Sequence, residues 1–357
     1  MKIASLVSGG VDSSVTIPLL VSWGYKPDIF YIRIGKENRP GFMDCSSEED
    51  IEISSYIAHK YRLNMEIIDL HDAYWSTVIS YTLETVRKGL TPNPDVMCNR
   101  LIKFGAFEEQ AGHAYDYITT GHYADTMIHE GKKYLLTSSD KVKDQTYFLG
   151  RIRYSQLRKL WFPLGQLKDK TEVRRLAEEM NLPSAQRRDS QGICFLGKVN
   201  YRDFIREHVG EQPGEIRELE TDRVIGTHRG YWFHTIGQRK GLGLGQGPWF
   251  VTGKDVQGNI IYVSRGYDPQ SQYGDFVLLQ DFLFITENPF EDRDADYPVA
   301  FKIRHSPEFH KGRLSFSPTG VCIKASEPIS GIAPGQFGVV YTPDEKTCLG
   351  SGIIAEQ

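Results

Sequence analysis

Apolar and polar positions alternate in blocks along the first third of the chain. Ile3 to Val7 is an uninterrupted apolar run, the pattern of a strand buried on both faces of a parallel sheet. A helical stretch follows, with Pro18 inside it as a residue expected to kink or shorten it. Asp28 to Ile34 predicts a second strand. Ser46 or Ser47 can cap a helix whose first turn carries Glu48, Glu49 and Asp50, and whose apolar side is Ile51, Ile53, Tyr56, Ile57 and Tyr61. Met65 to Leu70 predicts a third strand, and Trp75 to Lys88 a helix stopped by Gly89. Further on come a helix over Ile102 to His113 and a strand at Tyr117 to Thr120 that ends in Gly121-His122-Tyr123. Strands alternating with helices predict an α/β domain built on a mainly parallel sheet.

Beyond about residue 205 the pattern changes. Gly, aromatic and β-branched residues replace helical periodicity. Short strands are predicted at Phe276 to Leu279, Val299 to Ile303, Val321 to Ala325, Phe337 to Tyr341 and Gly352 to Ala355, in the manner of a small β-barrel. The division expected is therefore a nucleotide-type α/β domain over 1–204, a small central β-rich domain over 205–267 and a C-terminal β-barrel over 268–357.

Bulk composition narrows the class. The 357 residues are 40% apolar and 25% charged, as in ordinary soluble proteins. No apolar run approaches a membrane span and no secretory signal leads the chain, so no membrane partner is expected. Five cysteines, Cys45, Cys98, Cys194, Cys322 and Cys348, are odd in number and widely spread, which speaks against a disulfide framework. No Cys-x-x-Cys is present, so no bound metal or cluster is expected, and a reducing cytoplasm is the natural setting. The net charge is −4, but Lys141 to Arg188 holds 12 Lys/Arg against five Asp/Glu, interleaved with Tyr154, Trp161 and Phe162. Such a run reads either as a solvated face or as a stripe for an RNA backbone and unstacked bases. Thr235 to Gly245 adds a basic, glycine-rich loop.

The chemistry centres on Ser8-Gly9-Gly10-Val11-Asp12-Ser13-Ser14. A buried strand feeding a Gly-Gly turn and a helix N-terminus forms an anion site, because free N–H groups and the helix dipole both favour phosphate. It is neither a Walker A loop nor Gly-x-Gly-x-x-Gly. The string resembles the pyrophosphate loop of enzymes that cleave ATP to AMP and pyrophosphate in order to adenylate a substrate. Cys98 follows a loop with two prolines, Pro92 and Pro94, and is read either as a small buried hydrophobe or as a reactive thiol. Its placement near a helix start, with Arg100 and Lys103 close by, favours the thiol. Cys194 follows a Gly-containing turn and reads as a loop residue, structural or catalytic.

Taken together, the Ser8 to Ser14 loop, Asn93-Pro94-Asp95 with Cys98-Asn99, Gly121-His122-Tyr123, Lys143-Asp144-Gln145, Gly192-Ile193-Cys194-Phe195 and Gly237-Gln238-Arg239-Lys240-Gly241 strongly resemble the bacterial tRNA-uridine 2-sulfurtransferases, the 2-thiouridylase (MnmA) family. The likeness spans the chain nearly from end to end. It implies a PP-loop ATP-pyrophosphatase domain, similar to the adenine nucleotide alpha hydrolases, and ATP-dependent 2-thiolation of the wobble uridine of tRNA. Carried over by motif, ATP falls on Ser8, Gly9, Gly10, Val11, Asp12, Ser13 and Ser14, with Ile32 and Gly121 on the adenosine side. The target base falls on Asn93, Pro94 and Asp95, the nucleophile on Cys98 and the persulfide on Cys194. Further tRNA contacts fall on His122, Lys143, Asp144, Gln145, Arg304, His305 and Gln336. Ile32 stands where the family usually has Met, His305 where it usually has Tyr, and Gly35 to Gly41 departs from an acidic pattern.

The resemblance implies the rest of the chemistry. Mg2+ would accompany ATP, with Asp12 as a candidate ligand, and Asp95 could act as a general acid/base or simply hold an Asx turn. An upstream persulfide donor or sulfur-relay protein would load Cys194. A cytosolic reductant would clear the Cys98–Cys194 disulfide that sulfur transfer leaves. The alternatives are another adenylating enzyme on the same loop, such as a different tRNA thiolase or an amidating synthetase, and a tRNA-binding protein with a vestigial ATP loop.

Overall fold

A computed structural model describes residues 1–35, 46–188, 201–266 and 273–356. Its first layer is a five-stranded sheet, β1 (Ile3–Leu6), β2 (Asp28–Arg33), β3 (Met65–Asp69), β4 (Tyr117–Thr119) and β7 (Leu160–Trp161), in the order β3-β2-β1-β4-β7. All four pairings are parallel. The chain builds outward from β1 to β3 on one side and then crosses back to β4 and β7 on the other. The order therefore reverses between β1 and β4, and a crevice opens at their carboxyl ends, where ligands bind in such sheets. Every residue of β1 is buried, as its unbroken apolar pattern requires.

Three helical expectations change. Helix α1 (Val11–Ser22) contains Pro18 but is not shortened by it, since a proline removes only its own N–H from the ladder and α1 is clamped on several sides. The helix expected at Trp75 starts earlier, at His71, and contains a π turn over Trp75–Ile79 before ending at Arg87. Gly89 then takes φ +79°, the left-handed conformation that ends helices. The helix expected near Ile102 begins at Pro94 instead. Proline is tolerated in the first turn, where its missing N–H would have had no partner, and Asn93 caps the helix by accepting the Val96 N–H at 3.3 Å.

The central unit is a four-stranded sheet, β8 (Gly214–Glu218), β9 (Val224–His228), β10 (Trp249–Asp255) and β11 (Ile260–Arg265), ordered β10-β11-β8-β9. The last unit has β12 (Tyr273–Phe284), β13 (Tyr297–Lys302), β14 (His310–Ser317), β15 (Gly320–Ser330), β16 (Phe337–Tyr341) and β17 (Thr347–Ile354). They run β12-β15-β14-β13-β16-β17, and β17 pairs back with β12, which closes the barrel. Strand β14 was not foreseen, because its His, Lys, Gly, Arg and Ser residues break the apolar pattern.

One connection crosses the units. The hairpin β5 (Asp125–His129) and β6 (Lys132–Leu136) leaves the first sheet just after β4 and pairs with β17 of the barrel, Leu136 opposite Thr347 and Leu135 opposite Cys348. Arg151 fixes the same junction. Its side chain is 4% exposed, donates to the Ser351 carbonyl at 3.0 Å and pairs with Asp281. Leu135, Leu149, Phe337 and Tyr341 share one apolar core with Leu6 and Ile118 of the first sheet, so the barrel and the sheet are packed as one body there.

Candidate active site

The Ser-Gly-Gly turn stands at the β1–β4 crevice. Gly9 has φ +72°, and a Cβ there would lie 2.6 Å from the Asp50 Cα in helix α2 (Ser46–Tyr61). Both facts require glycine. The Ser13 hydroxyl organises the turn. It accepts the Ser8 N–H at 3.0 Å and donates to the Gly10 carbonyl at 3.1 Å. The first ladder bond of α1 runs from Ser14 N–H to Gly10 O at 3.0 Å. The Val11, Asp12 and Ser13 amides therefore precede the ladder at the positive end of the helix, as an anion site requires. Val11 and Ser14 turn their side chains into the core, and of the two only the Val11 amide precedes the ladder.

Gly121 follows β4 and touches this loop. A Cβ on it would come within 2.5 Å of the Ser13 nitrogen, so only glycine allows the β4 end to approach α1 so closely. Ile32 is buried at the carboxyl end of β2, in a core it shares with Leu6 and Cys98. These residues make a cradle whose donors suit the phosphates of a nucleotide. Asp12 carries two partners that sequence patterns did not reveal: Lys170 Nζ at 2.5 Å and the Tyr123 hydroxyl at 2.8 Å. Arg187 donates to the Gly9 carbonyl at 3.1 Å and pairs with Asp50 and Glu49. Burial raises the Asp50 carboxyl above the usual range, and Arg187 opposes that shift. Both basic residues lay in the charged stripe, but no local signal separated them from its other members.

Cys98 closes the short helix Pro94–Cys98 and is 1% exposed. The helix starts earlier than expected, so Cys98 stands a turn inside it and is drawn into the core. Its neighbour Asn99 donates to the Phe148 carbonyl at 3.1 Å. The Asn93 and Pro94 of the loop are buried, and Asp95 is half-buried. Cys194 and the whole Gly192-Ile193-Cys194-Phe195 string lie outside the described residues, as does most of the Gly35 to Gly41 loop.

The residues expected to meet RNA converge from three parts of the chain. Asn93 Nδ2 donates to Gln336 Oε1 of the barrel at 3.1 Å, and Gln336 Nε2 donates to the Pro92 carbonyl at 2.8 Å. The buried Tyr147 hydroxyl lies 3.3 Å from the same Gln336 oxygen and donates to the Phe337 carbonyl at 3.1 Å. His305 stacks on Phe148 with ring centroids 4.7 Å apart, and its Nε2 is 3.1 Å from the Asp144 carbonyl. Gln145 Oε1 accepts the Tyr123 N–H at 3.0 Å. Lys143 is half-buried, and Arg304 stands exposed beside His305. His122, next to Gly121, packs on Phe104 and Phe162 and shares a 2.8 Å hydrogen bond with Thr120. Burial, with Lys103 nearby, holds its imidazole well below the usual range, so it is neutral at pH 7.

Asp144 is buried, accepting from Ser138 N–H at 3.1 Å and Thr146 at 2.7 Å, with Lys302 Nζ 3.6 Å away. Its carboxylate is therefore part of the frame, and its backbone carbonyl is what faces His305. About half of the basic stripe is engaged within the chain: Arg151 pairs with Asp281, Lys159 with Glu108, Lys170 with Asp12 and, on the surface, Arg175 with Glu179. Arg174 holds the carbonyls of Ala185 and Arg187. Its aromatics are also spent: Trp161 stacks on Trp23 at 5.6 Å, and Phe162 is buried.

Comparison with known proteins follows the same three-part division. Residues 1–198 match a family model described as the tRNA methyl transferase HUP domain. Residues 202–265 match the tRNA methyl transferase PRC-barrel domain, and 277–354 the aminomethyltransferase beta-barrel domain. A tRNA-specific 2-thiouridylase MnmA of Parabacteroides distasonis is 57% identical over 357 residues, covering 100% of this chain and 99% of the relative. One from Bacteroides fragilis, MnmA 2, is 58% identical over 354 residues, covering 99% and 100%. One from Porphyromonas gingivalis is 57% identical over 360 residues, covering 100% and 99%.

Proposed function

The chain belongs to the tRNA-specific 2-thiouridylase family, and from that premise we propose that it replaces O2 of the wobble uridine of tRNA by sulfur at the expense of ATP. One observation carries the reading. Gly121 packs on the nucleotide loop and His122, the next residue, packs on Phe104, which lies on the helical run that begins at Pro94 and carries Cys98. The strand end thus lies between the nucleotide loop and that run.

The sequence of steps follows from the groups present. A carbonyl oxygen is a poor leaving group. Uracil O2 attacks the α-phosphorus of ATP, the bond to pyrophosphate breaks, and C2 becomes electrophilic with AMP as its leaving group. The Val11, Asp12 and Ser13 amides stabilise the negative charge that develops on the phosphates. Asp12, here paired with Lys170 and Tyr123, is the residue that would hold Mg2+, which would supply further neutralisation. Among the described residues no three His, Cys, Asp or Glu side chains converge as a ready-made metal site.

Sulfur arrives as a persulfide on Cys194. Either its terminal sulfur attacks C2 and expels AMP, after which the Cys98 thiolate attacks the Cys194 sulfur and frees the thiocarbonyl, or Cys98 attacks first and releases sulfide, which then attacks C2. Both routes leave a Cys98–Cys194 disulfide, and a dithiol reductant returns the two electrons. That requirement, and a tRNA substrate, fit the cytoplasm. No helix among the described residues is long and apolar enough to cross a membrane. Asp95 beside the base relays the proton, and His122, Lys143, Gln145, Arg304, His305 and Gln336 surround the anticodon loop. The three units divide the work as 1–204 for catalysis, 205–267 for tRNA binding and 268–357 for the barrel that completes the RNA face.

The test is the mass of nucleosides from tRNA incubated with the protein, ATP, Mg2+ and a persulfide source, beside Cys98→Ser and Cys194→Ser. The wild type should gain one sulfur-for-oxygen exchange at the wobble uridine, and both variants should gain none. AMP formation without sulfur, or equal sulfur gain by Cys194→Ser, would overturn the two-thiol reading and return the other adenylating enzymes to consideration.

A further inference from the structure

Lys302 closes strand β13 with its side chain fully enclosed. A lysine is almost never buried unless it is paired. Among the described residues its Nζ has no hydrogen-bond partner. Its counter-charge is the equally buried Asp144 carboxylate at 3.6 Å, and the Phe309 ring centroid lies 3.9 Å from the ammonium. Such a pair is a poor source of stability. Two charges leave water and the ammonium regains no hydrogen bond, so an apolar pair of the same volume would serve as well or better. What the ion pair adds is a demand for one register, because either charge alone in that interior is costly.

The pair joins two distant segments. Lys302 leads directly into Ile303, Arg304 and His305, and Asp144 stands between Lys143 and Gln145. The same two segments meet again where His305 Nε2 donates to the Asp144 carbonyl at 3.1 Å and where His305 stacks on Phe148. The Thr146 hydroxyl, which donates to the Asp144 carboxylate at 2.7 Å, lies 3.2 Å from the Tyr341 hydroxyl of β16. Gln145 is held from its other side, its N–H donating to the Tyr123 carbonyl at 2.8 Å. A shift of Asp144 therefore moves Lys143, Gln145 and the carbonyl that orients His305. No neighbour stands ready to replace either charge. Burial keeps the Tyr341 hydroxyl and the Cys348 thiol neutral by raising both, and keeps the His305 imidazole neutral by lowering it. Glu345 is spent on Lys311 at 2.7 Å. Lys143 carries the same sign as Lys302.

Resting on the thiolase reading above, which puts RNA on both segments, we propose that Lys302 is a positioning residue: through Asp144 it holds Lys143-Asp144-Gln145 against Arg304-His305, so that the two present one RNA-binding surface. With its side chain enclosed, Lys302 touches no RNA, and its effect on binding runs through Asp144. The two halves of the pair then fail in opposite ways. Lys302→Met leaves a carboxyl that burial already raises, tolerated only when it is protonated. Asp144→Asn leaves an ammonium that burial already lowers, tolerated only when it is deprotonated.

The test is the affinity of the full chain for a tRNA with a wobble uridine, measured against pH for wild type, Lys302→Met, Asp144→Asn and the double variant. Relative to wild type at each pH, Lys302→Met should bind at least about tenfold more weakly near pH 8.5 and recover toward pH 6. Asp144→Asn should lose about as much near pH 6 and recover toward pH 8.5. The double variant carries neither charge and should stay within about threefold of wild type throughout. A pair that served stability alone would lower the melting temperature of the single variants and leave the affinity of the folded protein unchanged. That result, parallel losses in both single variants, or a double variant as weak as they are would overturn the proposal. Should one single variant fail to fold by thermal melting, the other is compared with the double variant in the same way. Thiolation of the same tRNA by wild type, with ATP and a persulfide source, is followed in parallel. Thiolation with pH-independent affinities in the variants removes the Lys302 assignment alone, and opposed pH profiles without thiolation remove the thiolase reading alone.

Discussion

Replacing Gln336 by Leu keeps the side chain's bulk and removes its hydrogen bonds across the barrel boundary. Two of these hold the target-base loop: from Asn93 at 3.1 Å and to the Pro92 carbonyl at 2.8 Å. At about 1 kcal/mol net for each, the loss is about 2 kcal/mol. Tyr147 keeps its bond to the Phe337 carbonyl, so that end adds little. Because 1.4 kcal/mol is tenfold, the population of the loop held in place falls roughly 30-fold relative to its open forms. Asn93 also caps the Cys98 helix, so the Val96 amide loses protection as the loop opens. Hydrogen exchange of Val96 in the RNA-free protein should therefore quicken by about that factor, with exchange in the barrel core unchanged. Single-turnover thiolation should slow about 10- to 30-fold. Gln336→Glu, which keeps the acceptor and loses the donor, should lie between. Unchanged Val96 exchange in a folded Gln336→Leu protein would refute the clamp, and a loss confined to RNA affinity would make Gln336 an RNA contact only.

Three other outcomes follow from the same geometry. Gly9→Ala adds left-handed strain of about 1–2 kcal/mol and a Cβ 2.6 Å from the Asp50 Cα that forces the turn to shift, so AMP release should fall at least about 100-fold, with a thermal melt checking that the variant is folded. Arg151→Met removes the buried cation that ties the barrel to the catalytic layer. Barrel unfolding in urea should come earlier by about 2–3 kcal/mol, read from exchange of β17 amides. Burial depresses the folded pKa of His234 from 6.5 to about 4, so the unfolded chain binds the extra proton between those values. Stability is then full above pH 6.5 and declines by up to about 3 kcal/mol as pH falls to 4. His234→Phe should flatten that part of the urea-midpoint profile, and an unaltered slope would place the acid sensitivity elsewhere.

Much of the site was legible because its signals are local. A buried strand breaking into Gly-Gly before a helix has one economical geometry, and the structure places Gly9 and Gly10 in that turn. The Pro92 to Asn99 string reads in sequence as an extended loop, whereas it is helical from Pro94. Whether Pro94 ends a loop or opens a helix depends on Asn93 acting as the cap, and Asn93 is in turn held by Gln336, 243 positions away. The charged stripe was only partly legible for a related reason. A lysine's sequence shows its charge but not its neighbour, and Lys170, Arg151 and Arg187 are spent on Asp12, Asp281 and Asp50.

By itself the sequence determined the parallel α/β start, the Gly-Gly turn before a helix and the short-stranded second half, because periodicity, turn residues and helix caps act within a few positions. Only the tertiary structure decided that the β5–β6 hairpin extends the barrel sheet, that Cys98 is enclosed, that Asp144 is framework, and that the buried Lys302 faces it. Those facts depend on which distant groups share a low-dielectric interior, where a charge must find a partner and a polar atom without one is costly.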